Sequence, residues 1–204
     1  MKNKKQFGLV GRNINYSFSR NFFLEKFGSD EKFVDFNYRN YDINSIEDVK
    51  SVFNQNNICG LNVTIPYKEE ILGYLDKISN QAKEIGSVNT ICFENGKKVG
   101  YNTDIFGFTE SLKVNKIDNI DSVLILGTGG AAKTISYFCK KNSIPYSLVS
   151  RQSSNLNLTY NDLNENLFSK KVLIVNCTPV GTFPKINSCP ELPYELIKKE
   201  NIFF

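Results

Sequence analysis

A glycine-rich loop between an apolar strand and a helix constrains the fold of this chain more than any other feature. The apolar run at residues 123–126 is typical of a strand buried on both faces, and Gly127, Gly129 and Ala132 follow it in the spacing G-x-G-x-x-A. In such a loop the first glycine permits a tight turn, the second lets the backbone approach a pyrophosphate, and the alanine lets the helix pack closely. The loop therefore predicts a dinucleotide site, with a glycine-rich turn that holds no ligand as the alternative.

The segment after the next strand indicates which dinucleotide is expected. Residues 146–149 form another strand-like run, and Ser150, Arg151, Gln152 and Ser153 follow it. NAD sites usually carry an Asp or Glu here, which binds the ribose 2′-hydroxyl. This segment contains no carboxylate, and the planar guanidinium of Arg151 is suited to a phosphate. The segment favours NADP over NAD, whereas a solvated loop cation is the other interpretation of Arg151.

The amino-acid composition narrows the chemistry and the class of partner. The 204 residues include no histidine, which excludes Ser-His-Asp triads and H-E-x-x-H zinc sites, so acid/base work must come from Lys, Asp, Glu, Tyr or Cys. No metal site is predicted. The net charge is only +4 with lysines and glutamates mixed, and no stretch approaches the roughly 18 apolar residues of a membrane helix. Neither nucleic acid nor membrane is therefore expected, and five scattered cysteines favour reduced thiols in the cytoplasm.

Alternating strand and helix patterns predict an α/β fold. Strands are expected at residues 7–10, 33–36 and 59–63, with one helix running from its cap Ser19 through Phe27 and another over residues 45–53, where Ser45 and Asp48 suggest a capping box. Pro66 is expected to end the third strand and to open the next helix. This order predicts βαβ units and a largely parallel sheet.

A hairpin and a connecting helix separate the two halves of the chain. The Asn95-Gly96 pair is a strong hairpin signal, and strands are expected on either side, at residues 88–93 and 97–101. Residues 104–112 have a helical pattern, so the domain boundary is expected near residue 104. The predicted domains are residues 1–103 and residues 104–204. In the second, another strand is expected at 172–175, and a loop with a short helix at 153–166.

Three polar clusters interrupt the apolar patterns of the first half. They are Ser17 with Ser19, residues 62–68, and residues 86–90 followed by 101–104. Each alone can be a helix cap, a strand end or a hairpin. Together they supply hydroxyls, amides, one ammonium and one carboxylate, which a polyhydroxylated acid would need. In extended backbone both serines would point to one side.

Lys68 is the candidate proton donor of these clusters. Hydride addition to a ketone develops negative charge on the oxygen, so a cation or proton donor must lie there. In a chain without histidine Lys68 is the natural candidate, and Asp104 could orient it and favour its charged form. An ordinary surface lysine is the alternative.

These motifs resemble those of the shikimate dehydrogenases, in order and over nearly the whole chain. Besides the glycine loop, the matching segments are Gly8-Leu9-Val10-Gly11, Ser17-x-Ser19, Asn62-Val63-Thr64-x-Pro66-x-Lys68, Val88-Asn89-Thr90, Asn102-Thr103-Asp104-x-x-Gly107-Phe108 and Asn176-Cys177-Thr178-Pro179-Val180-Gly181. The resemblance implies an N-terminal α/β substrate-binding domain and a C-terminal Rossmann-type dinucleotide-binding domain, with a cleft between them. It also implies NADPH-dependent, reversible reduction of 3-dehydroshikimate to shikimate in chorismate and aromatic amino-acid biosynthesis.

The resemblance also implies roles for individual residues. Ser17 and Ser19 would hold the substrate carboxylate, and Lys68 would be the acid/base. The substrate hydroxyls would be held by Thr64, Asn89 and Asp104. The implied cofactor-binding residues are Gly127, Thr128, Gly129, Gly130, Ala131, Ser150, Arg151, Thr178 and Thr182.

The sequence also departs from the family pattern. Arg20-Asn21-Phe22 follows Ser19, where family members often carry Pro and His, and Thr182 stands where Met is common. The chain ends at Phe204, before the family's Tyr-containing strand and its terminal helix with a substrate-binding Gln, so an incomplete second domain is expected. Two alternatives follow, a quinate or quinate/shikimate dehydrogenase with the same site residues, and a truncated, non-catalytic ligand-binding form. A homodimer is compatible with each.

Overall fold

The chain divides into two compact units, and each has its own sheet. The computed structural model describes residues 4–152 and 154–204, and the units are Met1–Thr103 and Asp104–Phe204. The strands of the described residues are β1 (Lys5–Gly11), β2 (Phe36–Asp42), β3 (Ile58–Val63), β4 (Lys77–Ile78), β5 (Thr90–Glu94), β6 (Lys97–Tyr101), β7 (Ser122–Leu126), β8 (Tyr146–Val149), β9 (Val172–Asn176) and β10 (Ile202–Phe203). The predicted α/β class is confirmed.

Five α-helices and several short 3₁₀ helices accompany the strands in the described part of the chain. The α-helices are α1 (Phe18–Gly28), α2 (Val49–Phe53), α3 (Asn80–Ile85), α4 (Asp104–Val114) and α5 (Gly130–Lys141). The 3₁₀ helices are Glu31–Phe33, Ile46–Asp48, Glu70–Tyr74, Tyr160–Asp162, Glu165–Phe168 and Tyr194–Leu196. None of the helices in residues 4–152 and 154–204 combines the length and the apolar character that a membrane span requires.

The sheet of the first unit is mixed: strands β1, β2 and β3 are parallel, as predicted, and the hairpin that follows them adds antiparallel pairs. Its strand order is β2-β1-β3-β5-β6-β4. Strand β1 lies parallel to β2 and β3, whereas the β5–β6 hairpin runs antiparallel and pairs with β3 through β5. Such a hairpin returns the chain without a helical crossover, and the predicted Asn95-Gly96 turn makes it, with φ of 50° and 75°. As a result β1, β3 and β6 end, and β5 begins, at the same edge of the sheet.

The two faces of this sheet are covered by different elements. One face carries the main core, in which Val10, Val49, Ile71 and Ile91 have no solvent exposure. On the other face α1 packs over β1 and β2, where Phe23 stacks on Tyr38 with a centroid separation of 4.7 Å. The predicted capping box of Ser45 and Asp48 is confirmed at the helical turn before α2.

Three local predictions in this unit are wrong. Ser17, not Ser19, caps α1, because its side chain accepts from the Ser19 backbone N–H at 3.3 Å, and Ser19 itself lies in the first turn of the helix. The second strand, predicted at residues 33–36, begins only at Phe36, since Asp30 caps a 3₁₀ turn that ends at Phe33. Pro66 does not open a helix, because residues 66–69 form turns before the 3₁₀ helix Glu70–Tyr74.

The sheet of the second unit is fully parallel, with the order β10-β9-β7-β8. The glycine loop follows β7 and leads into α5, as predicted, and Ala132 is fully buried where the helix packs. The chain runs from β7 to β8 on one side and later returns to β9 on the other. Ligands of open α/β sheets bind at such a reversal, outside the carboxyl ends of the strands.

Gly8 offers a direct test of the first sheet. A Cβ built on Gly8 would lie 2.5 Å from the carbonyl oxygen of Arg39 on β2, whereas one on Gly28 at the end of α1 would have no neighbour within 4 Å. We expect Gly8→Ala to lower the free energy of unfolding by about 1–3 kcal/mol, as overpacking does. Gly28→Ala should be neutral or stabilising, by up to about 1 kcal/mol. Urea unfolding of both variants checks this, and equal stabilities would contradict the packing of β1 against β2.

Candidate functional site

The polar residues of the first unit meet at the sheet edge where β1, β3 and β6 end. The backbone N–H of Thr64 donates to the carbonyl of Val10 at 2.9 Å, which joins the residue after β3 to β1. Asn89 is the residue before β5, and its carbonyl accepts from the N–H of Val63 at 2.8 Å. The N–H of Asn89 donates to the carbonyl of Tyr101 at 3.1 Å. Three segments that are distant in the sequence are thereby held side by side.

Thr64 and Lys68 are fixed by the backbone around them. Gly11 ends β1, and the side chain of Thr64 packs directly over it. A Cβ added to Gly11 would lie only 2.6 Å from Cγ2 of Thr64. The carbonyl of Lys68 accepts from Val88 at 2.8 Å. Between them, Tyr67 is almost fully buried and donates its hydroxyl to the carbonyl of Ile43 at 2.8 Å. Lys68 is half-buried, and it lies in a turn that these hydrogen bonds hold in place at the sheet edge.

A network of amide and hydroxyl groups joins Asn89 to Thr103. Oδ1 of Asn89 accepts from the N–H of Thr103 at 2.8 Å and lies 3.1 Å from its hydroxyl, while Nδ2 of Asn89 donates to that hydroxyl at 2.9 Å. The hydroxyl of Thr90 donates to the same Oδ1 at 3.0 Å. Asn89 is buried, so this network fixes its amide and also the backbone from which Asp104 follows. Thr90 and Thr103 were not among the predicted site residues, although each directly follows an Asn in the quoted motifs.

Asn62 is a half-buried amide that the residue-by-residue prediction missed. Its Oδ1 accepts from the hydroxyl of Tyr38 at 2.9 Å, and its Nδ2 lies 3.4 Å from the Thr90 hydroxyl. Burial raises the pKa of Tyr38 well above its usual range, so the phenol stays a neutral donor. This connects the polar edge to the aromatic cluster under α1.

The serine pair lies at the start of α1, on the segment that follows β1. Ser17 donates its backbone N–H to the carbonyl of Ile14 at 2.9 Å, and Asn40 of β2 donates its side chain to the same carbonyl at 3.0 Å. The carboxylate of Asp42 accepts from the N–H groups of Asn13 and Ile14. This loop is therefore braced from β2, and both serines are half-buried at the positive end of α1.

In the second unit, the glycine loop lies against the loop after β9. Gly127 has φ of 106°, and a Cβ on it would lie 3.2 Å from the Cys177 carbonyl oxygen and 3.3 Å from Cγ2 of Thr178. A Cβ on Gly129, which precedes the first residue of α5, would project into open space, and no side chain caps this helix. Thr128 is exposed, and Gly130 and Ala131 lie in the first helical turn. The residues thus form a cradle in which backbone can approach a ligand.

The segment after β8 lies on the opposite side of β7. The hydroxyl of Ser150 donates to the carbonyl of Gln152 at 2.8 Å and accepts from its N–H at 3.1 Å, which closes a tight turn. Arg151 is exposed at this turn, and no carboxylate occurs in residues 150–152. Ser153, named with this segment in the sequence, lies outside the described residues.

The remaining predicted cofactor residues lie in the loop after β9. Thr178 donates its hydroxyl to the side chain of Asn176 at 2.6 Å, and Thr182 donates its hydroxyl to the carbonyl of Pro179 at the same distance. Thr178 therefore lies beside the glycine loop, whereas the hydroxyl of Thr182 is engaged within its own loop. Among the residues that the structure describes, no group of His, Cys, Asp and Glu is placed to hold a metal ion.

Comparison with known proteins identifies the family. A model of the shikimate dehydrogenase substrate-binding domain matches residues 9–91. The shikimate dehydrogenase (NADP(+)) of Methanococcus vannielii is 36% identical over 218 residues, which cover 96% of this chain and 75% of that protein. That of Clostridium botulinum strain Hall is 37% identical over 97% of this chain and 80% of its own length. The chain belongs to the shikimate dehydrogenase family.

Solved shikimate dehydrogenases share the fold of this family member. The enzyme of Aquifex aeolicus superimposes with a TM-score of 0.82 at 31% identity, over 100% of this chain and 79% of that one. The enzyme of Thermus thermophilus, solved in complex with NADP(H) and shikimate, gives 0.79 at 27% identity, over 97% and 77%. The predicted family and Rossmann-type class are thus confirmed.

Proposed function

We propose that this chain is an NADP-dependent shikimate dehydrogenase, which reduces 3-dehydroshikimate to shikimate and also runs in reverse. The observation that carries the proposal is the convergence of Thr64, Lys68 and the Asn89–Thr103 network at one sheet edge. This edge belongs to a chain that is 36% identical to a shikimate dehydrogenase over 96% of its length. Residues 1–103 would then bind the substrate and residues 104–204 the cofactor.

The edge offers groups that match the parts of a polyhydroxylated acid. Ser17 and Ser19 lie at a helix start, where backbone N–H groups and the helix dipole favour a carboxylate. The Thr64 hydroxyl and the Asn89 amide are neutral groups suited to sugar-like hydroxyls. Asp104 follows the fixed residue Thr103 directly, and we assign it as the acceptor for a further hydroxyl. Binding by several fixed groups limits the substrate to one orientation.

Lys68 is the acid/base of the proposed reaction. As the ketone is reduced, the ammonium Nζ would stabilise the negative oxygen and give it a proton, and the neutral amine would take that proton back in the reverse direction. Because the chain has no histidine, we assign the proton transfer at this edge to Lys68. The carboxylate of Asp104 is assigned to orient this ammonium.

The residues of the second unit fit NADP. Gly127, Thr128, Gly129, Gly130 and Ala131 form a cradle at the start of α5, where backbone N–H groups suit a pyrophosphate. Ser150 and Arg151 at the end of β8 offer a hydroxyl and a guanidinium to a 2′-phosphate, and the described residues 150–152 contain no carboxylate. We assign Thr178 and Thr182 to the nicotinamide half. When bound, the cofactor supplies or accepts the hydride.

A four-way assay tests the proposal. The purified chain should reduce NADP with shikimate as the substrate. Replacing NADP by NAD, or shikimate by quinate, should lower kcat/KM. Absence of turnover with every pair, together with binding of NADP and shikimate in calorimetry, would replace the proposal by a non-catalytic ligand-binding form. Preference for quinate would make the chain a quinate dehydrogenase. We further propose that it acts in the cytoplasm, where its five cysteines stay unpaired.

A further inference from the structure

Asn176, the last residue of β9, ties together the loop that follows it. Its Oδ1 accepts from the N–H of Thr178 at 3.0 Å and from the Thr178 hydroxyl at 2.6 Å. Its Nδ2 donates to the carbonyl of Val180 at 3.0 Å. The Thr178 hydroxyl in turn accepts from the N–H of Val180 at 3.2 Å. One side chain therefore sets the shape of the loop from residue 177 to residue 180.

This loop has a fixed place relative to the glycine loop. The N–H of Cys177 donates to the carbonyl of Leu126 at 2.9 Å, and the missing Cβ of Gly127 would lie 3.3 Å from Cγ2 of Thr178. Asn176 itself is held to Phe204, the residue after β10, because its N–H donates to the carbonyl of Phe204 at 3.0 Å. The Asn176 loop therefore lies beside the glycine loop, at the end of the neighbouring strand.

The strand order indicates which half of the cofactor this loop faces. Arg151 lies at the end of β8, the glycine loop at the end of the central strand β7, and the Asn176 loop at the end of β9. A dinucleotide with its 2′-phosphate at Arg151 and its pyrophosphate at the glycine loop must extend its nicotinamide half toward β9. On the proposed function, we infer that Asn176 is a positioning residue that holds this loop in the shape required by the nicotinamide half.

The exposure of Asn176 separates this role from a structural one. The side chain is exposed, and all three of its hydrogen bonds are made within its own loop. Its removal should therefore change the fold little. Hydride transfer, in contrast, depends steeply on geometry, and a displacement of about 1 Å can cost about 100-fold in rate.

Three variants and two ligands test the inference. Asn176→Ala removes all three hydrogen bonds, whereas Asn176→Asp keeps both acceptor contacts to Thr178. Asn164→Ala is the matched control, because the side chain of Asn164 also holds a turn, directly before the 3₁₀ helix Glu165–Phe168. It accepts from the N–H of Asn166 at 3.1 Å and donates to the carbonyl of Asp162 at 3.1 Å. Dissociation constants are measured for NADPH, by its fluorescence, and for adenosine 2′,5′-bisphosphate, which lacks the nicotinamide half.

We expect Asn176→Ala to lower kcat by about 10–100-fold, with the KM for shikimate changed less than about 3-fold. NADPH should bind more weakly, while the affinity for the bisphosphate stays unchanged. Asn176→Asp should recover most of kcat, and Asn164→Ala should match the parent chain in all four measurements. An unchanged kcat, or equal loss of affinity for both nucleotides, would overturn the inference. If the parent chain fails to oxidise shikimate, the proposed function falls, and the two dissociation constants still decide the role of Asn176.

Discussion

Replacing Lys68 by methionine is expected to lower kcat for shikimate oxidation by about 100- to 10,000-fold, the usual contribution of a positioned acid/base. Methionine keeps much of the apolar stem but can neither carry charge nor exchange a proton. The turn that presents the side chain is held by backbone contacts of Lys68 and by buried Tyr67, so it should survive the change. Steady-state kinetics and shikimate binding by calorimetry measure the two effects separately.

The expected pattern is a large loss of kcat with shikimate affinity reduced less than about 10-fold. Lys83→Met is the control, since Lys83 is an exposed lysine in the last turn of α3 and should be replaceable without effect. If Lys68→Met retains turnover within about 3-fold of the parent chain, another group must move the proton, because acid/base catalysis is worth far more than that.

Replacing Arg151 by glutamine is expected to lower kcat/KM with NADP by about 10–100-fold and to leave kcat/KM with NAD unchanged. A hydrogen bond to a charged group contributes about 1.5–3 kcal/mol, and each 1.4 kcal/mol corresponds to a factor of about ten. The two nucleotides differ only in the 2′-phosphate, so the ratio of their kcat/KM values isolates the contact. Steady-state kinetics with each nucleotide in turn provides that ratio.

Two further variants sharpen the test of Arg151. Ser150→Asp places a carboxylate at the end of β8, where NAD-binding proteins use one for the ribose hydroxyls, so the preference should shift further toward NAD. Lys140→Gln removes an exposed cation from the last turn of α5 and should change neither value. Equal losses with NADP and NAD in Arg151→Gln would show that Arg151 does not recognise the phosphate.

The parts of the fold that were predicted from the sequence depend on short, local patterns. The strand before Gly127, the loop itself and the helix after it are specified within about twenty residues, and the Asn95-Gly96 turn within two. The predicted start of the second strand at residue 33 is wrong, and the strand begins at Phe36. The short alternation of apolar residues competes with a stronger local signal, the side chain of Asp30, which accepts from the N–H of Lys32. Capping by Ser17 instead of Ser19 is likewise decided by a single hydrogen bond.

The site was predicted less completely, because its geometry depends on contacts between distant segments. Thr103 gains its role only when the hairpin brings it next to Asn89, fourteen residues earlier. Asn176 appears in a quoted motif, but its function as a brace depends on how the loop after β9 turns back on it. The strand order of the first sheet also depends on contacts between distant segments, because the periodicity of one strand does not specify which strand it pairs with.

Transfer of a deuterium label tests the central claim most directly. NADPH carrying deuterium at the transferable position of its nicotinamide ring is mixed with 3-dehydroshikimate and the purified chain, and the products are analysed by mass spectrometry. The account predicts shikimate that carries one deuterium, formed by the parent chain and not by Lys68→Met in the same time. Unlabelled shikimate, or no shikimate from a chain that binds both ligands, would contradict it.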